Sequence, residues 1–174
     1  DTASNGAAFN RLRRVYFNPQ SAKSGAPYQG PNDCLVFYWH DDSTTENNIF
    51  ENCEGGWNSW GKRNKSYGDI TLNSTNGMQI SHGVLETDNA TNTYVKDFVA
   101  VNVTYGIFSR TGFSTVVENA TLFDVASGVV ADNIYDTRRV PNSNCNGPCA
   151  HTHSPSISVA NILVKTATGS GMAI

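Results

Sequence analysis

Two stretches decide the fold: Val95–Gly106, VKDFVAVNVTYG, and Val117–Gly128, VENATLFDVASG. Laid over one another at a constant shift of 22 residues, they put Val95 on Val117, Asp97 on Asn119, Val101 on Phe123, Val103 on Val125 and Gly106 on Gly128. The frame extends backwards. Thr45–Gly56, TENNIFENCEGG, puts Asn47 on Asp97, Asn52 on Asn102 and Cys53 on Val103, and Ser66–Gly77, SYGDITLNSTNG, puts Ile70 on Ile49 and Asn73 on Asn52. Gly56, Gly77, Gly106 and Gly128 therefore mark successive turns, 21, 29 and 22 residues apart, the longest interval holding the polar excursion Glu86–Thr93. A weaker copy starts at Val159, and an earlier one takes in Cys34–Trp39.

Within each copy the residues alternate with period two, as a half-buried strand requires. The alternation points Ile49, Ile70, Val99, Val101, Val103, Phe123 and Val125 one way and Asn52, Asn73, Asn102 and Asp124 the other. A second short strand follows each glycine, with Trp57, Met78, Ile107 and Val129 in equivalent inward places. Repeats of this length leave leucine-rich horseshoes and parallel β-helices. No Leu-x-x-Leu-x-Leu frame and no amphipathic helix is present, so a β-helix of about six coils, estimated from the repeat, is expected.

Composition agrees. The chain has 174 residues, with 23 Val plus Ile against 6 Leu, 20 Asn and 16 Thr, a balance that suits short strands joined by polar turns. A single domain is expected, with an irregular or capping region over 1–33, regular coils over 34–134, an insertion over 135–156 and a last coil over 157–174. Arg11, Arg13 and Arg14 read as an edge strand or cap. A net charge of −3 supplies no basic field for nucleic acid, and no apolar run is long enough for a membrane helix.

Five Asn-X-Ser/Thr triplets, at Asn64, Asn73, Asn89, Asn102 and Asn119, read as N-glycan acceptors of a secreted protein; the alternative is a turn composition carrying no sugar. Cys34, Cys53, Cys145 and Cys149 suit an oxidising compartment, and the preferred pairing is Cys34–Cys53 with Cys145–Cys149, each closing a short segment. The start at Asp1, without Met or an apolar leader, reads as a removed signal peptide or a piece of a longer chain. The end at Thr168–Ile174 lacks a polar cap, so either more chain or another subunit is expected to cover it end to end.

VENATLFDVASGVVADN and TENNIFENCEGG resemble coils of the right-handed parallel β-helices of the pectate-lyase-like superfamily. The resemblance implies an extracellular protein that binds or cleaves a polysaccharide along its outer face. Members cleave acidic polysaccharides by β-elimination: a Lys or Arg removes the proton beside the uronate carboxylate, and a cation stabilises the enolate. Asn64-Lys65-Ser66 and His82-Gly83 are similar to the alginate lyase and chondroitinase B type, but Ser81 stands where that type has Arg, and the frame puts Lys65 in a turn.

In a stacked coil, outward side chains at one position form ladders. Two places after each glycine the ladder reads Asn58, Gln79, Phe108, Val130, and four places after it reads Trp60, Ser81, Arg110, Asp132, with Tyr38 beside Trp60. Tyr38, Trp60, Phe108 and Arg110 are the ligand-binding candidates, because aromatic rings stack on sugar C–H faces and guanidinium bonds hydroxyl or carboxylate. Packing under loops is the alternative for the aromatics. Arg110 and Asp132, with Lys65, are the catalytic candidates; an ordinary surface ion pair is the alternative for the first two. His40-Asp41-Asp42 is a candidate Ca²⁺ loop against two merely hydrated carboxylates, and Cys145…His153 offers zinc ligands against a disulfide. No metal is assigned. A structural or adhesive filament glycoprotein without catalytic activity is the alternative function.

Overall fold

The computed structural model describes residues 11–18, 34–37, 40–59, 61–81, 92–110, 114–132, 157–166 and 172–173. Their strands, in chain order, are β1 (Arg11–Arg13), β2 (Tyr16–Phe17), β3 (Leu35–Phe37), β4 (Thr44–Glu46), β5 (Ile49–Glu51), β6 (Gly55–Ser59), β7 (Lys65–Tyr67) and β8 (Ile70–Leu72). Next come β9 (Asn76–Ser81), β10 (Tyr94–Lys96), β11 (Val99–Arg110), β12 (Thr115–Glu118), β13 (Thr121–Asp132), β14 (Ile157–Ala160), β15 (Leu163–Thr166) and β16 (Met172–Ala173). The fold is all-β, and among the described residues no helix is long and apolar enough to cross a membrane.

Every pairing is parallel, and the repeat sets the register. A six-stranded sheet runs β1-β4-β7-β10-β12-β14. In it Thr44 faces Lys65, Lys65 faces Tyr94 and Tyr94 faces Val116, shifts of 21, 29 and 22 residues. A second sheet has two arms. One holds β2, β5, β8 and the first halves of β11 and β13, with β15; the other holds β3, β6, β9 and the second halves, with β16. In the second arm Trp57 faces Met78, Met78 faces Ile107 and Ile107 faces Val129, repeating the same shifts. Among the described residues strands are present from Arg11, ahead of the boundary at 34 read from the repeat, and β1 lies at the end of its sheet, paired with β4.

The strands are short because the chain turns at left-handed residues. Three columns have positive φ: Arg14, Asn47, Gly68, Asp97, Asn119 and Asn161; Asn52, Asn73, Asn102 and Asp124; Asp42, Arg63, Asn92 and Ser114. Ten of the thirteen residues here other than glycine are Asn or Asp, the side chains that tolerate this conformation by bonding locally. Their amides also bond along the columns, Asn102 Nδ2 donating to Asn73 Oδ1 at 2.8 Å and Asn161 Nδ2 to Asn119 Oδ1 at 3.1 Å.

The glycines stack. A Cβ added to Gly56 would lie 2.6 Å from the Gly77 carbonyl oxygen, one on Gly77 2.4 Å from that of Gly106, and one on Gly106 2.7 Å from that of Gly128. Only a hydrogen fits at this column.

The interior corrects the alternation. Val103, Val125, Trp57, Met78, Ile107 and Val129 are buried as read, whereas Ile49, Ile70, Val99 and Val101 are only half-buried and Phe123 is 45% exposed. The buried residues are their neighbours Phe50, Thr71, Ala100 and Leu122. Between Val101 and Val103 lies Asn102, and between Phe123 and Val125 lies Asp124; each left-handed residue turns the chain and reverses the facing of the residues after it.

The core also changes along the stack. Thr45, Asn48, Ser66, Asp69 and Thr71 are wholly buried on β4 to β8 and the turns between, while later strands bring Val95, Phe98, Ala100, Val117 and Leu122 to matching places. Asp69 satisfies the polar part. Its Oδ1 accepts from Asn48 N at 2.8 Å and Asn48 Nδ2 at 2.9 Å, and its Oδ2 from Ser66 Oγ at 2.6 Å. Cys34 and Cys53 form a disulfide, the pairing preferred from sequence, with Cα atoms 5.5 Å apart. Cys145 and Cys149 lie outside the described residues.

Candidate functional site

The second arm of the two-armed sheet carries the ladders read from sequence. Asn58 faces Gln79, Gln79 faces Phe108 and Phe108 faces Val130 across successive strands. Ser81 and Asp132 flank Arg110 in the same way. The first ladder is not uniformly open: Asn58 is only 3% exposed, whereas Gln79, Phe108 and Val130 are half-buried. Phe108 lies against Tyr105, ring centroids 5.2 Å apart and 22° from parallel, and Asn76 Nδ2 donates to Gln79 Oε1 at 3.1 Å. An aromatic pair beside an amide is a surface on which a sugar ring can stack and bond. Tyr38 and Trp60 lie outside the described residues.

Lys65 is not in a turn. It opens β7, exposed, on the six-stranded sheet, because the corner falls at Arg63, two residues earlier. The fold thus brings Arg110 and Asp132 onto neighbouring strands and leaves Lys65 on another sheet.

The outer face of that sheet holds, beside Arg11, Arg13 and Lys65, residues the sequence reading passed over. Along one row stand Arg11, Thr44, Lys65, Tyr94, Val116 and Ser158, and along the next Arg13, Glu46, Tyr67, Lys96, Glu118 and Ala160. Glu46 is clamped by Arg11 at 2.6 Å and Arg13 at 2.9 Å. Tyr94 OH donates to Glu118 Oε2 at 2.6 Å, which, with partial burial, pushes the phenol up to about 12. The rings of Tyr67 and Tyr94 are 5.8 Å apart. The signal was available: Tyr94 and Lys96 flank Val95, and Lys65 and Tyr67 flank Ser66, in frames already aligned on the buried column.

Asp41 and Asp42 form a corner clamp. Arg63 donates to Asp42 through Nε at 2.7 Å and Nη2 at 2.6 Å, and Asp41 Oδ1 accepts from Lys62 N at 2.7 Å. The Arg63 hydrogen bonds hold the Asp42 carboxyl below its ordinary range, the charges of Arg63 and Lys65 adding to the effect. Among the described residues no three His, Cys, Asp or Glu side chains converge as a metal site.

The five Asn-X-Ser/Thr positions divide. Asn64 is wholly buried, its Oδ1 accepting from Ser43 N and its Nδ2 donating to Ser59 Oγ, both at 2.9 Å, so it has no room for a glycan in the folded chain. Asn73, Asn102 and Asn119 are exposed corner residues at positive φ. Asn89 lies outside the described residues. Comparison with known proteins finds no family model, curated protein or solved structure that matches the chain.

Proposed function

We propose that the chain is a right-handed parallel β-helix of about six coils, of the pectate-lyase-like kind, that binds a polysaccharide along its outer face. The coiled reading is supported by the same series of shifts in both sheets and by the three columns of corner residues. The observation that carries the function is Gln79 on β9 facing Phe108 on β11, with the Tyr105 ring against Phe108. A polymer of sugar units meets such a surface, stacking on the rings and bonding the amide. Binding is favoured over cleavage, because Lys65 stands on a different sheet from Arg110 and Asp132. Secretion is supported by the Cys34–Cys53 disulfide; in that reading Asn73, Asn102 and Asn119 are the glycan acceptors among the described residues.

The test is retardation of the intact protein in gels containing polygalacturonate, alginate, a glycosaminoglycan or a neutral glucan, with ultraviolet absorbance followed for the conjugated product of β-elimination. Retardation without absorbance is the expected result. Phe108→Ala weakens binding by about 2- to 10-fold, the equivalent of an aromatic contact of roughly 0.5–1.5 kcal/mol. No retardation by any polymer contradicts the proposal.

A structural role is the second reading, favoured by the half-buried apolar row Ile157, Val159, Ile162 and Val164 on β14, β15 and the turn between them. It expects concentration-dependent end-to-end assembly in sedimentation, and a monomer at all concentrations removes it.

A further inference from the structure

We propose that the outer face of the six-stranded sheet is a separate binding site for an acidic polysaccharide, built by Lys65, Tyr67, Tyr94 and Lys96. It uses a different sheet from the Phe108 ladder and does not depend on it. The four residues occupy the corners of one square on the neighbouring strands β7 and β10. Lys65 faces Tyr94 and Tyr67 faces Lys96 in register, so the two rings lie on one diagonal and the two ammonium groups on the other. Each tyrosine thus has a lysine beside it at the strand spacing of about 4.8 Å, and the square repeats the pair two residues, or about 6.6 Å, along the strands.

The chemistry of each pair selects the ligand. A uronic acid unit has an apolar C–H face that stacks on a phenol ring and a carboxylate at its edge that pairs with an ammonium group. Two such pairs on adjacent strands accept two acidic sugar units.

The surroundings favour an anion. This face carries Arg11, Arg13, Lys65 and Lys96 against Glu46 and Glu118, on a chain of net charge −3. Both acids are already engaged, Glu46 by Arg11 and Arg13 and Glu118 by the Tyr94 hydroxyl. The Lys65 charge also acts on Asp42, which Arg63 holds, and among the described residues no salt bridge takes up Lys65 or Lys96. The rings are half-buried and Lys65 is exposed, so a ligand reaches both. Two lysines on an acidic chain are too few for a nucleic-acid groove, whose affinity is built from many phosphate contacts.

The experiment measures binding of the intact protein to polygalacturonate by titration calorimetry, with dextran and a single-stranded oligonucleotide as comparison ligands. The Lys65→Gln/Lys96→Gln variant is expected to bind polygalacturonate roughly fivefold more weakly, as two exposed ion pairs allow, and Tyr67→Ala to weaken it similarly. Lys62→Gln/Lys165→Gln, which removes the same charge elsewhere, leaves binding unchanged. Thermal unfolding checks that each variant folds. Equal losses in the two lysine pairs, no loss in the first pair, an oligonucleotide bound as tightly as polygalacturonate, or no binding by the native protein would each overturn the proposal. A site confined to the Phe108 ladder gives loss in Phe108→Ala with none in the first lysine pair, which separates failure here from failure of the ladder.

Discussion

Replacing Gly77 by alanine tests the stacked glycine column with a single methyl group. The backbone at Gly77 is not left-handed, so alanine meets no conformational objection, and at an open site the change would stabilise the chain by about 0.4–1 kcal/mol through the unfolded state. Here the new carbon lies 2.4 Å from the Gly106 carbonyl oxygen and 3.0 Å from Ala100 Cβ. Neither partner is a flexible side-chain end. β9 is hydrogen-bonded between β6 and β11, and β11 between β9 and β13, so relief requires moving a strand paired on both sides. Overpacking of this kind costs about 1–3 kcal/mol, and the rigid carbonyl puts Gly77→Ala near 2 kcal/mol net. For a chain of this size that lowers Tm by about 4–8 °C. The assay is thermal unfolding followed by circular dichroism and by fluorescence, since wholly buried Trp57 faces Met78, the next residue. Gly106→Ala should lose less, its carbonyl contact being 2.7 Å and its other contacts being Leu122 methyls that can rotate. A Gly77→Ala protein as stable as the native one would refute the stacking argument.

The interior sets two other outcomes. Burial raises the Asp69 pKa, its bonds from Ser66, Thr45 and Asn48 opposing the shift. The folded chain therefore holds this proton at pH values where the unfolded chain has released it. Asp69 makes stability fall as pH rises from about 4 through its folded value, and then level off. Asp69→Asn flattens that part of a denaturant-midpoint profile, and an unchanged profile contradicts the assignment. Thr115 has a buried hydroxyl without a partner, and Val117 lies two residues on in the same strand, so Thr115→Val should raise stability by about 1 kcal/mol in urea unfolding; a loss would show that the hydroxyl is bonded.

The register of the fold was legible because glycine marks each repeat: the intervals between Gly56, Gly77, Gly106 and Gly128 are the shifts in both sheets. The facing of the strands was less so. Alternation holds within a strand but does not survive a left-handed residue, and Asn102 looks like any outward polar residue until its φ is known. Burial of Thr71, Asn48 and Asp69 was illegible for a related reason, since a polar side chain signals an interior place only through partners that the fold brings to it. The same holds for Asn64, which reads as a surface acceptor and is a core bridge between Ser43 and Ser59. Of the candidate sites, the strand neighbours of Arg110 and Phe108 follow from the glycine frame, whereas Tyr67, Tyr94 and Lys96 were missed because outward ladders were read only downstream of each glycine.

The measurement closest to the centre of the account is an oxidative cross-link between cysteines at Val99 and Thr121. These face one another on β11 and β13, both half-buried on the outer side, at a parallel strand spacing of about 4.8 Å that a disulfide spans. The account predicts rapid bond formation in Val99→Cys/Thr121→Cys and none in Val99→Cys/Leu122→Cys, where the second cysteine is buried on the opposite face. Equal cross-linking in both pairs, or bonding only in the second, would contradict the register from which both proposed binding faces are built.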